Sequence, residues 1–166
     1  MLNQTKDIPE EIKRYAKDFD VNLADMFENN SLVNIDNNIF LSNRDSLEIA
    51  DEIIQKSKEN PHAIGTFLGN ITNVNNIKKF TPSPAFPDLL AKRSNKKITI
   101  NSKAEWLFLC GRDVFDSSVL KKSNSLRVGD LVLVQNENNE NLGIGKVNQK
   151  IIKNVLDKGS YLRDEK

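Results

Sequence analysis

Residues 98–114 read ITINSKAEWLFLCGRDV, and this stretch decides how the second half of the chain folds. Ile98-Thr99-Ile100 is a short apolar run of β-formers. Ser102 then reads as a helix N-cap, with Glu105 three residues on, which is the spacing of a capping box. Gly111 supplies a residue that can turn left-handed and stop the helix. Val114-Phe115 resumes extended structure. Downstream come further short β runs at Val119-Leu120, Leu131-Val132-Leu133-Val134, residues 142–147, Ile151-Ile152 and Val155-Leu156. Turn formers separate them, notably Arg127-Val128-Gly129-Asp130 and the Asn/Glu-rich residues 136–141. Short strands at regular spacing around one short helix predict a small β barrel.

Upstream, Lys92-Arg93-Ser94-Asn95-Lys96-Lys97 is polar and charged and reads as a linker, with a boundary near residue 94. Residues 1–93 carry a different pattern. Asp7, Pro9, Glu10 and Glu11 suit a helix start, and Ile8, Ile12, Tyr15, Ala16 and Phe19 recur at helical spacing until Asn29-Asn30. Leu32–Ile35 and Ile39–Leu41 flank Asp36-Asn37-Asn38, a hairpin signal. A second helix runs from about Asp45 to Lys58, capped by Asn43 or Asp45, with Leu47, Ala50, Ile53 and Ile54 as its apolar face. His62–Thr72 reads as a strand and residues 86–92 as a short helix. The expected fold is therefore α+β: an N-terminal α/β domain over residues 1–93, followed by a C-terminal β pseudo-barrel over residues 94–166.

Charge is distributed unevenly. Residues 1–93 hold 11 Lys+Arg against 14 Asp+Glu, a net −3, and residues 94–166 hold 13 against 9, a net +4. The positive field sits on the barrel half, where it can attract phosphates. Cys110 is the only cysteine, which leaves no disulfide framework and suits a reducing cytoplasm. No apolar run reaches the roughly 20 residues a membrane helix needs, and the opening residues show no secretory leader. There is no glycine-rich phosphate loop, no dinucleotide fingerprint and no His-Glu-x-x-His, and the carboxylates are scattered. These readings give no catalytic residues, no metal site and no cofactor.

Three patterns occur in order: Lys103–Val114, then Val128-Gly129-Asp130-Leu131-Val132-Leu133-Val134, then Leu142-Gly143-Ile144-Gly145-Lys146. Together they resemble a PUA domain, a pseudo-barrel that binds structured RNA. With Ile64-Gly65-Thr66-Phe67-Leu68-Gly69 upstream and the closing Gly159-Ser160-Tyr161-Leu162-Arg163-Asp164-Glu165, they resemble one family in particular. It is the large-subunit ribosome-biogenesis family with a PUA domain whose eukaryotic founder was named nuclear import protein seven. The likeness is good over residues 60–166 and one of layout before that. It implies a non-catalytic, monomeric, cytoplasmic factor that binds ribosomal RNA, U-rich segments included, and meets ribosome-assembly or exosome-associated proteins.

Lys146, Lys150 and Lys153 match the basic region of that family, and their spacing of four then three brings them together in a helix or twisted loop. Val147 stands where a second adjacent basic residue is expected. Lys121, Lys122 and Arg127 extend the same patch, or serve as lysines that protect an edge strand from aggregation. Arg112 reaches a phosphate or base, or pairs with Asp113 or Asp116. Trp106 and Phe108 lie on different sides of their helix and either form a stacking platform for a base or, for at least one of them, pack in the core. Cys110 reads as a buried small hydrophobe, and His62 as a lone histidine without partners. Two other readings stand beside RNA binding: a subunit of an RNA-modification enzyme, and a protein-docking module that does not bind RNA.

Overall fold

Asparagine makes the tight turns of the N-terminal half. Asp36-Asn37 (φ 50° and 69°) and Asn75-Asn76 (φ 52° and 62°) adopt paired left-handed conformations, the geometry that matches the twist of a two-residue hairpin. The computed structural model describes residues 3–5, 7–24 and 30–164, with 3–5, 161 and 164 as backbone alone. Asn29 lies outside the described residues. The chain divides into two compact units, Met1–Lys17 with Asn22–Phe86, and Asp18–Val21 with Pro87–Lys166.

The first unit runs β1 (Asn3–Thr5), α1 (Glu10–Lys17), β2 (Asn30–Ile35), β3 (Asn38–Asn43), α2 (Arg44–Ser57), β4 (Thr66–Val74) and β5 (Ile77–Pro82). Its sheet has the order β1-β2-β3-β4-β5 and is antiparallel throughout. Asn43 caps α2, its side chain accepting from the Ser46 amide at 2.9 Å. Leu47 and Ala50 pack with Val33, Phe40 and Ile64. Ile53, expected on that face, is exposed instead. It lies about 100° round the axis from Ile54 and about 120° from Leu47, which turns it to the edge of that face. Near α1, Tyr15, Phe80 and Phe86 meet edge to face with centroids 5.1 to 6.0 Å apart. His62 lies outside any strand, since β4 starts only at Thr66.

The second unit continues through α3 (Phe86–Ala91), β6 (Lys97–Ile100), α4 (Ser102–Leu109), β7 (Val114–Phe115), a single 3₁₀ turn at Asp116–Ser118, β8 (Val119–Lys122), β9 (Leu131–Gln135), β10 (Asn141–Val147), β11 (Ile151–Asp157) and α5 (Ser160–Asp164). Its sheet order is β7-β11-β10-β9-β6-β8, antiparallel except for the parallel β6–β9 pair. The two edge strands, β7 and β8, follow each other in the chain across the 3₁₀ turn, so the sheet curls into a nearly closed pseudo-barrel. The two β runs expected at 151–152 and 155–156 are one strand. A bulge lies within it at Val155: Ile144 faces Leu156 and Gly145 faces Asn154, which leaves Val155 without a partner in β10.

The barrel core is Ile98, Ile100, Ala104, Phe108, Val114, Val132, Val134, Leu142, Val147 and Ile152. Asn101, not Ser102, caps α4, with its Oδ1 accepting from the Ala104 amide at 2.9 Å. Gly111, at φ 82°, turns the chain out of the helix.

The polar stretch 92–97 is tied down. Ser94 is buried, its hydroxyl donates to the Phe19 carbonyl at 2.8 Å, and the Lys96 amide donates to Ser94 Oγ at 3.0 Å. Lys96 Nζ donates to the Asp18 carbonyl at 2.9 Å and lies 3.5 Å from Asp20. The boundary expected near residue 94 falls in the structure between Phe86 and Pro87. Those contacts join residues 18–20 to residues 94–96, and Asp88 meets Lys158 at 2.9 Å and Asn141 at 3.3 Å on the barrel.

Of the two aromatics on α4, Phe108 fills the core and Trp106 is 67% exposed. Phe108→Ala should cost about 3–5 kcal/mol of unfolding free energy, and Trp106→Ala less than about 0.5 kcal/mol. Urea titration of both variants measures the difference.

Candidate nucleic-acid interface

The β10–β11 hairpin carries the principal candidates. Lys146 stands directly opposite Lys153, and Val147 opposite Ile152. Successive side chains on a strand point to opposite faces. Val147 and Ile152 therefore enter the core while Lys146 and Lys153 face solvent. The two lysines are neighbours through strand pairing and not through helical spacing. The same alternation explains Val147: a basic residue there would point into the barrel. Lys150 lies in the hairpin turn, exposed, with the Asn148 amide donating to the Ile151 carbonyl at 2.9 Å across it.

Neighbouring segments bring other candidates to this hairpin. The Asp116 amide donates to the Lys150 carbonyl at 3.0 Å, and Asp116 Oδ1 lies 3.5 Å from Lys122 Nζ. Lys122 thus reaches the turn end of the hairpin through one carboxylate. Arg127 belongs to a loop that runs beside the end of β10, where the Gly129 amide donates to the Val147 carbonyl at 2.8 Å and the Val147 amide to the Asp130 carbonyl at 2.9 Å. Asp130 accepts the Arg127 amide, which holds the loop in shape. Arg112 lies on the other flank. Its carbonyl accepts from Asn154 Nδ2 at 3.5 Å, and Asp113 Oδ1 accepts the Asn154 amide at 2.8 Å, one residue beyond Lys153. Asp113 is thereby engaged by backbone and Asp116 by Lys122. Arg112 makes no ion pair with either. Lys121 is separate. It lies on β8, where it pairs with Thr99 of β6, and β6 and β9 stand between it and β10 in the sheet.

Among the described residues, none of Lys146, Lys150 and Lys153 forms an ion pair. Like charges directly opposite on adjacent strands destabilise the pairing. The free protein therefore keeps an uncompensated cationic cluster at a fixed spacing, and a line of phosphates would neutralise it.

Two sequence readings change. Cys110 is exposed rather than buried, because α4 ends there and the chain turns at Gly111. Phe115 was read only as a strand residue, yet it is 68% exposed beside this cluster. Nothing local marks it, since Val114 and Phe115 are both apolar and only the register shows which one faces inward. Among the described residues no three His, Cys, Asp or Glu side chains are grouped to hold a metal ion.

A six-stranded curled sheet with α4 in its core is a PUA-type pseudo-barrel, a class of domain that generally binds RNA. Residues 96–166 match the family described as the UPF0113 PUA domain. A UPF0113 protein of Archaeoglobus fulgidus is 29% identical over 119 residues, which is 64% of this chain and 65% of that protein, just under two thirds of its length. Among solved structures, a conserved PUA domain protein from Thermoplasma acidophilum shares the fold, with a TM-score of 0.53 over 92% of this chain and 90% of its own, at 14% identity.

The opposed lysines give a stability test that needs no ligand. Lys153→Glu converts a repulsive cross-strand pair into an attractive one. It should raise the unfolding free energy by about 0.5 kcal/mol at low salt, and the gain should shrink toward zero at 1 M salt, where the screening length is about 3 Å. Denaturant curves at two ionic strengths measure it.

Proposed function

We propose that this chain is a non-catalytic RNA-binding factor whose C-terminal barrel holds ribosomal RNA during assembly of the large ribosomal subunit. The observation that carries the RNA-binding part is the exposed Lys146–Lys153 pair with Lys150 at its turn, cations that the protein does not neutralise itself. Arg112 on one flank and Lys122 and Arg127 at the turn end lengthen the cluster. Backbone neutralisation of this kind gives affinity that is strong at low salt and largely independent of sequence. A narrow A-form major groove keeps side chains from the base edges of duplex RNA, which favours contact with phosphates and with unpaired segments.

The assembly role is supported by the likeness of Ala104–Val114, Gly143-Ile144-Gly145 and the closing 159–165 segment to the large-subunit biogenesis family. Of that closing segment, Glu165 lies outside the described residues. Apolar side chains left in solvent on the N-terminal unit, Ile49 and Ile53 on α2 and Val74 and Ile77 at the β4–β5 turn, fit a role in docking assembly or exosome-associated proteins.

Replacing Lys146, Lys150 and Lys153 together by Ala should weaken binding to a ribosomal RNA fragment and lower the magnitude of d log K/d log[salt] by about 2, at roughly 0.7 per phosphate contact on a single strand. Filter binding across a salt series measures both quantities. Wild-type affinity and slope in the variant would remove these three lysines from the site.

A further inference from the structure

We infer that Phe115 is a base-stacking platform within this interface, so that the preferred ligand is single-stranded RNA with an unpaired base laid on the β7–β11 surface. The inference rests on the RNA-binding reading and extends it to one residue and one form of RNA. Phe115 is 68% exposed on a two-residue edge strand whose other member, Val114, is in the core. The register fixes its surroundings. Phe115 pairs directly with Ile151, Ile151 and Lys153 are two apart on β11, and Lys153 pairs with Lys146. Paired residues and residues two apart share a face, so Phe115, half-buried Ile151, Lys153 and Lys146 line one outer surface in that order. The turn that carries exposed Lys150 adjoins it, since the residue after Phe115 donates its amide to the Lys150 carbonyl.

An exposed aromatic ring thus shares one face with Lys153 and Lys146 and adjoins the turn that carries Lys150, on a face that the barrel core does not use. A single exposed phenylalanine is common on protein surfaces. One held on a strand that shares its face with lysines offers what a nucleotide needs: a flat apolar surface for the base and ammonium groups for the flanking phosphates. Duplex bases are already stacked on each other and cannot use the ring. Charge and ring therefore act on different ligand properties. The lysines set the salt dependence, and Phe115 sets the discrimination between unpaired and paired RNA.

The test measures binding of an oligouridine strand, and of the same strand annealed to oligoadenosine, by fluorescence anisotropy. Wild type should bind the single strand more tightly. Phe115→Ala and Phe115→Leu should weaken single-strand binding by roughly 5- to 150-fold, the range for one base–aromatic stack, with an unchanged salt slope and an unchanged duplex affinity. Phe115→Tyr, which keeps the ring, should stay within about threefold of wild type. In a Trp106→Phe background, Phe115→Trp should show fluorescence quenched by the single strand and not by the duplex. If Phe115→Ala and Phe115→Leu keep wild-type affinity while the triple lysine variant loses it, or if the introduced Trp is not quenched, the platform is wrong and the cationic interface stands. If wild type binds neither RNA, the RNA-binding reading itself falls and takes this inference with it.

Discussion

The antiparallel pairing of β10 with β11 is the constraint on which the rest depends. One face of that ladder is Val147 and Ile152, two of the side chains that hold the barrel core around Phe108. The other face is Lys146 and Lys153. Burying a valine or isoleucine is worth roughly 1.5–3 kcal/mol, whereas a cross-strand like-charge pair costs up to about 1 kcal/mol. The core therefore wins, and the lysines are held side by side at a separation that their own repulsion opposes. The backbone positions of these charges are set before any ligand arrives, so little ordering of the strands is needed on binding.

The closing helix completes that arrangement. Arg163 Nη2 lies 2.8 Å from Asp157 Oδ2, and Nη1 donates to the Leu109 carbonyl at the end of α4. Ser160 Oγ donates to the Asp157 carbonyl at 2.7 Å. Asp157 is nearly fully buried at the end of β11, so one guanidinium joins the last strand, the last helix and α4, whose Phe108 lies in the barrel core. Gly159 fits against α4 because it lacks a side chain: a Cβ there would come within 2.0 Å of the Leu109 carbonyl oxygen. These contacts give the Gly159–Arg163 part of the closing motif a physical reason.

Much of this was legible in the sequence because period and punctuation agreed. The barrel strands alternate or run apolar between turn formers, and the hairpin at Asp36-Asn37 uses residues that tolerate a left-handed backbone. The failures have local causes. Asn101 and Ser102 are both good caps and adjacent, and propensity alone does not choose between them. Lys146, Lys150 and Lys153 have a spacing that fits a helix face as well as a strand pair joined by a turn, and only the register separates the two. Ser94 looks like linker because a long-range hydrogen bond to Phe19 leaves no trace in composition. Phe115 was overlooked because in a two-residue strand one side chain faces in and the other out, and nothing local marks which.

The period-two geometry of β10 also governs how this interface can vary among related chains. A substitution at Lys146 or Lys153 changes a charge and leaves the core intact. Insertion or loss of one residue between Gly145 and Val147 would exchange the sides, sending an ammonium group inward and a valine outward along the remaining strand. Variation here is thus free in residue type but nearly forbidden in length. Charge on this face can therefore change rung by rung, while the spacing from Gly143 to the turn stays fixed.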